Sequence, residues 1–309
     1  MSIKRNFLLL MLFSIFLCGC SRKENINDYY ISYTLTKQVG EDLKSEVHYY
    51  DLADGTDKII TELPYTAQYP LTVYDKVKEK VYYTSKVKNC DQVFEYDIKT
   101  KNHKQLTDSL SAINYIIPYE DTLLIIAVPK GSNMITLQPF LYKDNTLTDI
   151  AWDKDFNVST LFYDLQSSDF ILSGYSSSED WRRIENQDKK EYIAPPNYIY
   201  HLEKDGKQKS KIYETNNGNI NSIAANEDYI YTTNDINEDI EKIDKRKGEL
   251  SETIEVPSYR LFYVTNDELM YYYSNDEIYT YDLNSKKKTI LCTIKTETSA
   301  INNAIVLKK

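Results

Sequence analysis

The first residues whose type and spacing could support chemistry are the cysteines of Leu17-Cys18-Gly19-Cys20, near the start of this 309-residue chain. They follow a basic start, Lys4-Arg5, and an almost wholly apolar run over residues 7–17. That run is too short to cross a hydrocarbon core, which needs roughly 20 residues, but it fits a secretory signal peptide. A cysteine thiol placed directly after such a leader can be acylated, which would anchor the exported protein to a membrane.

The residues around Cys20 resemble the bacterial lipobox, in which the cysteine takes a diacylglycerol and becomes the acylated N-terminus once the leader is removed. We therefore expect a leader over residues 1–19, lipidation at Cys20 and a polar tether over residues 20–27. The alternatives are cleavage nearby that leaves Cys20 as a free thiol, or an uncleaved signal anchor. Cys18 is a poorer acceptor, because apolar residues would lie where cleavage requires small ones.

The charge balance restricts the expected partners. The chain has 37 Lys and Arg against 47 Asp and Glu, a net charge of -10. Nucleic acids and anionic lipids are bound through basic patches, so we expect no nucleic-acid partner and membrane contact only through Cys20. We expect a monomer on the extracytoplasmic face of a cell membrane. Abundant Lys, Asn, Ile and Tyr, with Arg22-Lys23 after Cys20, favour a Gram-positive surface.

The other reactive side chains form no recognisable catalytic or metal-binding set. Segment 235–239 begins like a calcium loop but lacks the Gly and Glu that such a loop requires. Cys90 and Cys292 are expected to be unpaired, with Cys292 buried in a strand. We expect the histidines to recur with the strand framework rather than to converge, two on or beside a recurring strand and one in a turn, so no cofactor and no metal is predicted. The three histidines are His48, His103 and His201.

The elements that must position any site are strands, because aromatic and β-branched residues alternate along the chain without a sustained helical period. A Tyr-, Ile- and Val-rich strand is followed by a strand ending in Tyr-Asp-Leu or a relative of it. Most of the 29 tyrosines lie at alternating strand positions, which favours packing between neighbouring units of the repeat, the adjacent blades of a propeller, over a carbohydrate-stacking surface. The six copies of the second strand are residues 47–52, 93–98, 140–144, 198–202, 240–244 and 278–283.

The spacing of the recurring Asp indicates the architecture. Asp51, Asp97 and Asp144 follow one another at intervals of 46 and 47 residues, and Asp244 and Asp282 are 38 residues apart. Periods of roughly 40 to 50 residues with four strands each are typical of propeller blades. The interval of 100 residues from Asp144 to Asp244 holds two blades and one enlarged loop. We therefore predict an all-β, six-bladed β-propeller of four-stranded antiparallel blades, with seven blades as the alternative.

The two ends of the body are predicted to meet. The first unit begins at residue 28 and has no room for an innermost strand, whereas the apolar segment 300–307 has no other role. We expect this C-terminal strand to join the first blade and to leave no open edge. The propeller domain is therefore predicted to span residues 28–309.

The paired Tyr-rich and Tyr-Asp-Leu strands resemble those of bacterial six-bladed β-propeller lipoproteins, in particular families related to the domain-of-unknown-function 5050 and TolB-like propellers. The resemblance covers nearly all of residues 28–309 and implies a binding or scaffolding platform. The chain departs from sialidase-type propellers, because it lacks their Ser-x-Asp-x-Gly-x-Thr-Trp box. It also lacks the Trp-Asp endings of WD repeats.

The candidate binding site is an irregularity in the fourth unit. Residues 176–196 separate its second and third strands, whereas the equivalent connection at residues 87–91 is short. In a propeller this connection emerges beside the channel mouth, and Trp and Arg are enriched at binding hot spots. We predict that Trp181, Arg182 and Arg183 bind a partner, which is a protein or a cell-wall glycan. The alternative is that Trp181 folds back over its own blade.

Two functions remain open. The first is a non-enzymatic, membrane-anchored binding or scaffolding module. The second is a polysaccharide lyase or hydrolase with carboxylates and tyrosines at the channel mouth. Carboxylates about 5 to 10 Å apart beside an Arg would favour the enzyme. An apolar or evenly charged channel lining would favour binding.

Overall fold

The described part of the chain contains twenty-four strands and one α-helix. A computed structural model describes residues 25–65, 71–132, 135–186, 193–216, 218–235, 239–256, 260–294 and 299–309. Helix α1 spans Ser177–Glu185, and a single 3-10 turn spans Ile26–Asp28. Within these ranges no helix combines the length and the apolar character that crossing a bilayer requires.

The strand bounds follow the repeat seen in the sequence. In chain order they are β1 (Tyr29–Val39), β2 (Asp42–Asp51), β3 (Asp57–Pro64), β4 (Thr72–Asp75), β5 (Lys80–Val87), β6 (Cys90–Asp97), β7 (His103–Gln105), β8 (Leu110–Tyr119), β9 (Thr122–Pro129), β10 (Gln138–Lys143), β11 (Thr146–Asp149), β12 (Phe156–Asp164), β13 (Asp169–Ser176), β14 (Asn197–Leu202), β15 (Lys209–Thr215), β16 (Ile220–Ala225), β17 (Tyr229–Asn234), β18 (Ile240–Asp244), β19 (Glu249–Ile254), β20 (Arg260–Val264), β21 (Leu269–Tyr273), β22 (Glu277–Asp282), β23 (Lys287–Thr293) and β24 (Ser299–Lys308).

The strands form six antiparallel sheets of four strands each, which are the six blades. Blade 1 contains β24, β1, β2 and β3 from the inside outwards, and blades 2 to 6 take β4 to β23 four at a time in chain order. The innermost strands surround a central channel. The chain is therefore an all-β, six-bladed propeller, as its repeat predicts.

The C-terminal strand closes the ring. Strand β24 pairs antiparallel with β1 over nearly its whole length, and its side chains Ile301 and Val306 are buried. The backbone N–H of Lys309 donates to the carbonyl of Asp28 at 2.9 Å. The ammonium group of Lys309 forms an ion pair with Asp51 at the end of β2. The predicted exchange of the last strand into the first blade is confirmed.

The recurring Asp builds the turn that follows the third strand of a blade. In blade 1 the carboxylate of Asp51 accepts a hydrogen bond from the N–H of Ala53 at 2.9 Å. In blade 6 the carboxylate of Asp282 does the same for the N–H of Asn284 at 2.8 Å. An Asp side chain that bonds the backbone two residues on stabilises a tight turn. This local role explains why Asp recurs at the blade period.

Buried tyrosines join neighbouring blades. The hydroxyl of Tyr30 in blade 1 donates to the carbonyl of Tyr74 in blade 2 at 2.8 Å. The hydroxyl of Tyr119 in blade 3 donates to the carbonyl of Lys204 in blade 4 at 2.7 Å. Burial raises the pKa of Tyr30 well above its usual range, so the hydroxyl remains a donor. Each ring fills space between blades while its polar end is satisfied, and the packing role predicted for the tyrosines is confirmed.

The alternating strand directions define two faces of the ring. The connection face carries the starts of the first strands and the connections between second and third strands. The hairpin face carries the tight hairpins that join first to second and third to fourth strands. Asn25 and Lys309 both lie on the hairpin face, because they flank the start of β1 and the end of β24.

Candidate functional site

Helix α1 lies in the long connection between β13 and β14, on the connection face. Ser176 is its N-cap, and the Oγ of this residue accepts a hydrogen bond from the N–H of Glu179 at 3.1 Å. The carboxylate of Asp155 accepts hydrogen bonds from the hydroxyls of Ser176 and Ser178 at 2.5 and 2.9 Å. Burial alone would raise the pKa of Asp155, but these bonds outweigh it and hold the pKa below its usual value. The start of α1 is therefore fixed by an ionised carboxylate.

The helix corrects the sequence interpretation, which treated residues 176–196 as a loop without helical character. Nine residues are too few to show a sustained apolar period, so the periodicity argument missed α1. The signal that could have found it is the spacing Ser176-x-x-Glu179, because a Ser followed three residues later by Glu is a capping box. Residues 187–192 of this connection lie outside the described part of the chain.

The three predicted site residues share one helix but have different environments. The guanidinium of Arg183 pairs with Glu179 at 2.7 Å and donates to the carbonyl of Ala194 at 2.8 Å. The side chain of Arg182 is 70% exposed and lies 3.7 Å from Glu179. Trp181 is 57% exposed, which does not match the alternative in which it covers its own blade. Arg183 therefore fastens the helix, while Trp181 and Arg182 face solvent.

Other exposed apolar side chains lie on α1 or next to residues that contact it. The hydroxyls of Thr136 and Ser177 are 3.2 Å apart, which brings the connection between β9 and β10 against the start of α1. The bond from Arg183 to Ala194 brings the returning chain against the same helix. Each of the four apolar residues in this region is at least 44% exposed. We define the α1 surface as Ile135, Trp181, Arg182, Ile184 and Ile193.

A cavity of about 550 Å³ occupies the central channel and is lined from all six blades. Its polar side chains include Asn114, Ser159, Asn221 and Asn303. Among the described lining residues Arg260 is the one charged side chain, and no Asp, Glu, Lys or His is present. The enzyme alternative depends on a pair of carboxylates beside an Arg. The described lining contains no such pair of carboxylates, so this cavity does not support the hypothesis of a polysaccharide lyase or hydrolase.

The histidines occupy three different blades and do not converge. His103 lies in strand β7, not in the turn that the sequence suggested. Each imidazole is bonded within its own blade, so a structural role accounts for it. The contacts are Asp57 to His48 at 3.3 Å, Tyr83 to His103 at 2.8 Å and Asp169 to His201 at 3.0 Å.

The remaining sequence candidates are the two cysteines of the body and the calcium-like loop. Cys90 and Cys292 are free thiols, as expected. Cys292 is half-buried instead of buried, and burial raises the pKa of its thiol. No group of three or more His, Cys, Asp or Glu in the described ranges could hold a metal ion. The expected leader and the lipidation site at Cys20 lie outside the described residues, as do residues 236–238 of the loop that begins like a calcium site.

Solved structures share this fold. A chain of the nidogen/laminin complex matches with a TM-score of 0.62 and 12% identity, over 90% of this chain and 98% of that chain. TolB from Acinetobacter baumannii matches with a TM-score of 0.60 and 11% identity, over 97% of this chain and 71% of that chain. No protein-family model and no curated protein matches the sequence. The chain is therefore a six-bladed β-propeller similar to the nidogen and TolB propellers, and at these identities the similarity extends to the fold alone.

Proposed function

We propose that this chain is a lipid-anchored, extracytoplasmic propeller that binds a protein partner through the α1 surface. The observation that carries the proposal is the outward display of Trp181 and Ile184, 57% and 44% exposed, on a helix that Arg183 fastens to the framework. A single exposed apolar side chain needs no explanation, but a group of them often marks an interaction site. A pre-positioned aromatic anchor also binds at a low entropic cost.

The composition of the α1 surface defines the partner that would fit it. Trp181 and the three isoleucines would be buried against apolar groups, as at the centre of other interfaces. Arg182 is an exposed positive charge on an acidic chain, and exposed pairs such as its 3.7 Å contact with Glu179 contribute little energy. A partner carboxylate could therefore replace Glu179 at low cost. We propose a partner that presents an apolar segment flanked by Asp or Glu.

The position of the tether is expected to turn the α1 surface away from the membrane. Asn25 lies on the hairpin face, opposite the face that carries α1. Cys20 precedes it by five residues, which reach at most about 17 Å when fully extended. A lipid on Cys20 would thus hold the hairpin face near the membrane and turn the α1 surface outward. The nidogen/laminin complex is an assembly of two proteins that includes a propeller of this fold, which is consistent with a binding role.

The test compares partner capture by four full-length forms of the protein in cell-envelope extracts. The double variant Trp181→Ala/Ile184→Ser removes two apolar members of the α1 surface. The matched control is Ile290→Ser, because Ile290 is a 51% exposed apolar residue on the outer strand β23. We expect a partner that the wild type and the control retain and that the double variant loses, with Arg182→Glu weakening the same complex. Identical partner sets for all forms would refute the proposal.

A further inference from the structure

The inner strands of the propeller carry a set of β-bulges. In β12, β16, β20 and β24 the pairing with the neighbouring strand skips one residue, and in β8 it skips one residue at each of two places. A bulge leaves its extra residue out of the ladder and re-aims the side chain, and bulges are over-represented beside active sites. Each of these bulges lies in the first half or at the middle of its inner strand. The extra residues are Ser111, Asn114, Ser159, Asn221, Phe262 and Asn302.

Four of these extra residues line the central cavity, and they come from four consecutive blades. Asn114, Ser159 and Asn221 supply amide and hydroxyl groups, while Phe262 supplies a half-buried aromatic ring. Amide and hydroxyl side chains both donate and accept hydrogen bonds. The bulges therefore bring a ring of neutral polar groups and one aromatic face to the same cavity.

The bulge in β24 positions the positive charge of Arg260 at this cavity. The carbonyl of Asn302 accepts a hydrogen bond from Arg260 at 3.3 Å and another from the hydroxyl of Tyr273 at 3.1 Å. The guanidinium of Arg260 also lies 5.5 Å from the ring centroid of Tyr273, in a cation–π contact. Arg260 is thus held at the seam between blades 6 and 1, on the connection face. A guanidinium in a fixed position is suited to a carboxylate.

The wall of the cavity also contains an acceptor without a donor. The amide nitrogen of Asn303 donates to the carbonyl of Thr72 at 3.2 Å, which fixes the orientation of the amide. The amide oxygen of Asn303 is buried and has no hydrogen-bond partner among the described residues. A buried acceptor without a hydrogen-bond partner destabilises the folded state. This oxygen is not accessible from the channel, so it is not a contact for a ligand there.

We infer that the central channel binds an acidic saccharide, without catalysis, at a site formed by Asn114, Ser159, Asn221, Phe262 and Arg260. The hydroxyls of the sugar exchange hydrogen bonds with the amides and with Ser159. Its carboxylate pairs with Arg260, and no described carboxylate in the lining repels it. The volume of about 550 Å³ falls within the roughly 300–1,000 Å³ of small-molecule sites.

The arrangement of the polar groups favours a sugar over a peptide. Asn114, Ser159 and Asn221 approach the channel from three blades, so their hydrogen bonds converge from different directions. The hydroxyls of a pyranose ring radiate in different directions and match such a ring of groups. The amides of an extended peptide follow a line and are usually bound along the edge of one strand.

The test uses the full chain on an array of glycans that carry uronic, sialic or muramic acid, beside their neutral counterparts and short peptides with free carboxylates. We expect binding to one or more acidic glycans and at least tenfold weaker binding to the neutral counterparts. Asn221→Ala and Arg260→Gln should each weaken that binding at least tenfold. Arg246→Gln is the matched control, because Arg246 lies in an exposed hairpin on the opposite face.

Asn221 is exposed in the cavity wall, so the thermal unfolding midpoint of Asn221→Ala should equal that of the wild type, and a loss of binding then reports on the site. Absence of binding to every acidic glycan, binding to peptides or neutral glycans alone, or equal binding by all variants would overturn the inference. The proposed partner surface is tested by substitutions in α1 and stands or falls separately.

Discussion

Arg183 donates from Nη1 to the backbone carbonyl of Ala194 at 2.8 Å and so joins α1 to the chain that returns to β14. The same guanidinium pairs with Glu179 one turn earlier in the helix. The neighbouring Arg182 has its side chain 70% exposed. Two adjacent arginines thus have separate roles, because one positions the helix and the other is available to a partner.

These roles predict different effects for the same substitution at two adjacent positions. Arg183→Gln removes the contact with Ala194 and should let α1 open more often. We expect amide hydrogen exchange in residues 177–186 to be several-fold faster in this variant, since local opening controls exchange. Arg182→Gln is the matched control and should exchange like the wild type. Equal exchange in both variants would contradict the positioning role of Arg183.

Closure of the ring by β24 predicts that its buried residues carry global stability. Ile301 is 1% exposed, and truncation of a buried Ile to Ala typically costs about 2–5 kcal/mol. We expect Ile301→Ala to lower the free energy of unfolding in urea by an amount in this range. Ile290→Ala on the outer strand β23, where Ile290 is 51% exposed, should change it by at most about 0.5 kcal/mol. A result for Ile301→Ala as small as that control would mean that β24 is not an integral strand of blade 1.

The ion pair at the hairpin face predicts a pH dependence. Burial alone would raise the pKa of Asp51, but hydrogen bonds from Lys309, Ala53 and Tyr49 outweigh it and lower the pKa to about 2. A depressed folded-state pKa contributes stability in full above the unfolded value near 4. That contribution is lost as the pH falls towards 2.

The measurement is the thermal midpoint of the wild type and of Asp51→Asn between pH 7 and pH 2. The variant should be less stable at pH 7, and the difference should shrink between about pH 4 and pH 2. Lys309→Gln serves as a second variant, because it removes the partner but leaves Asp51 in place. A difference that stays constant over this range would show that the charge of Asp51 does not stabilise the closure.

The blade repeat could be read from the sequence because its signals are local. The Asp at the end of each third strand bonds the backbone two residues on, so each copy specifies its own turn. The first unit lacks an innermost strand, and the apolar C-terminal segment has no other role. The sequence therefore also predicted the pairing of β24 with β1. The tyrosines as a group were predicted to pack between blades, as Tyr30 and Tyr119 do, because aromatic residues at alternating strand positions become buried.

The channel and the helix were harder to foresee, for different physical reasons. The bulges at Asn114, Ser159 and Asn221 depend on register with a neighbouring strand, and a one-residue shift in pairing leaves no mark on a single strand. The exposure of Trp181 depends on the bond between Arg183 and Ala194, which joins residues across the connection. Only the cap at Ser176 leaves a local sequence signal, the Ser-x-x-Glu spacing, which hydrophobic periodicity does not detect.

The most direct test of the partner surface is photo-crosslinking in intact cells from a benzoylphenylalanine placed at position 181. The same probe at position 246, on the hairpin face, is the control. We predict a discrete protein adduct from position 181 that weakens when Arg182→Glu is added, and no such adduct from position 246. No adduct from position 181, or the same adduct from both positions, would contradict the account.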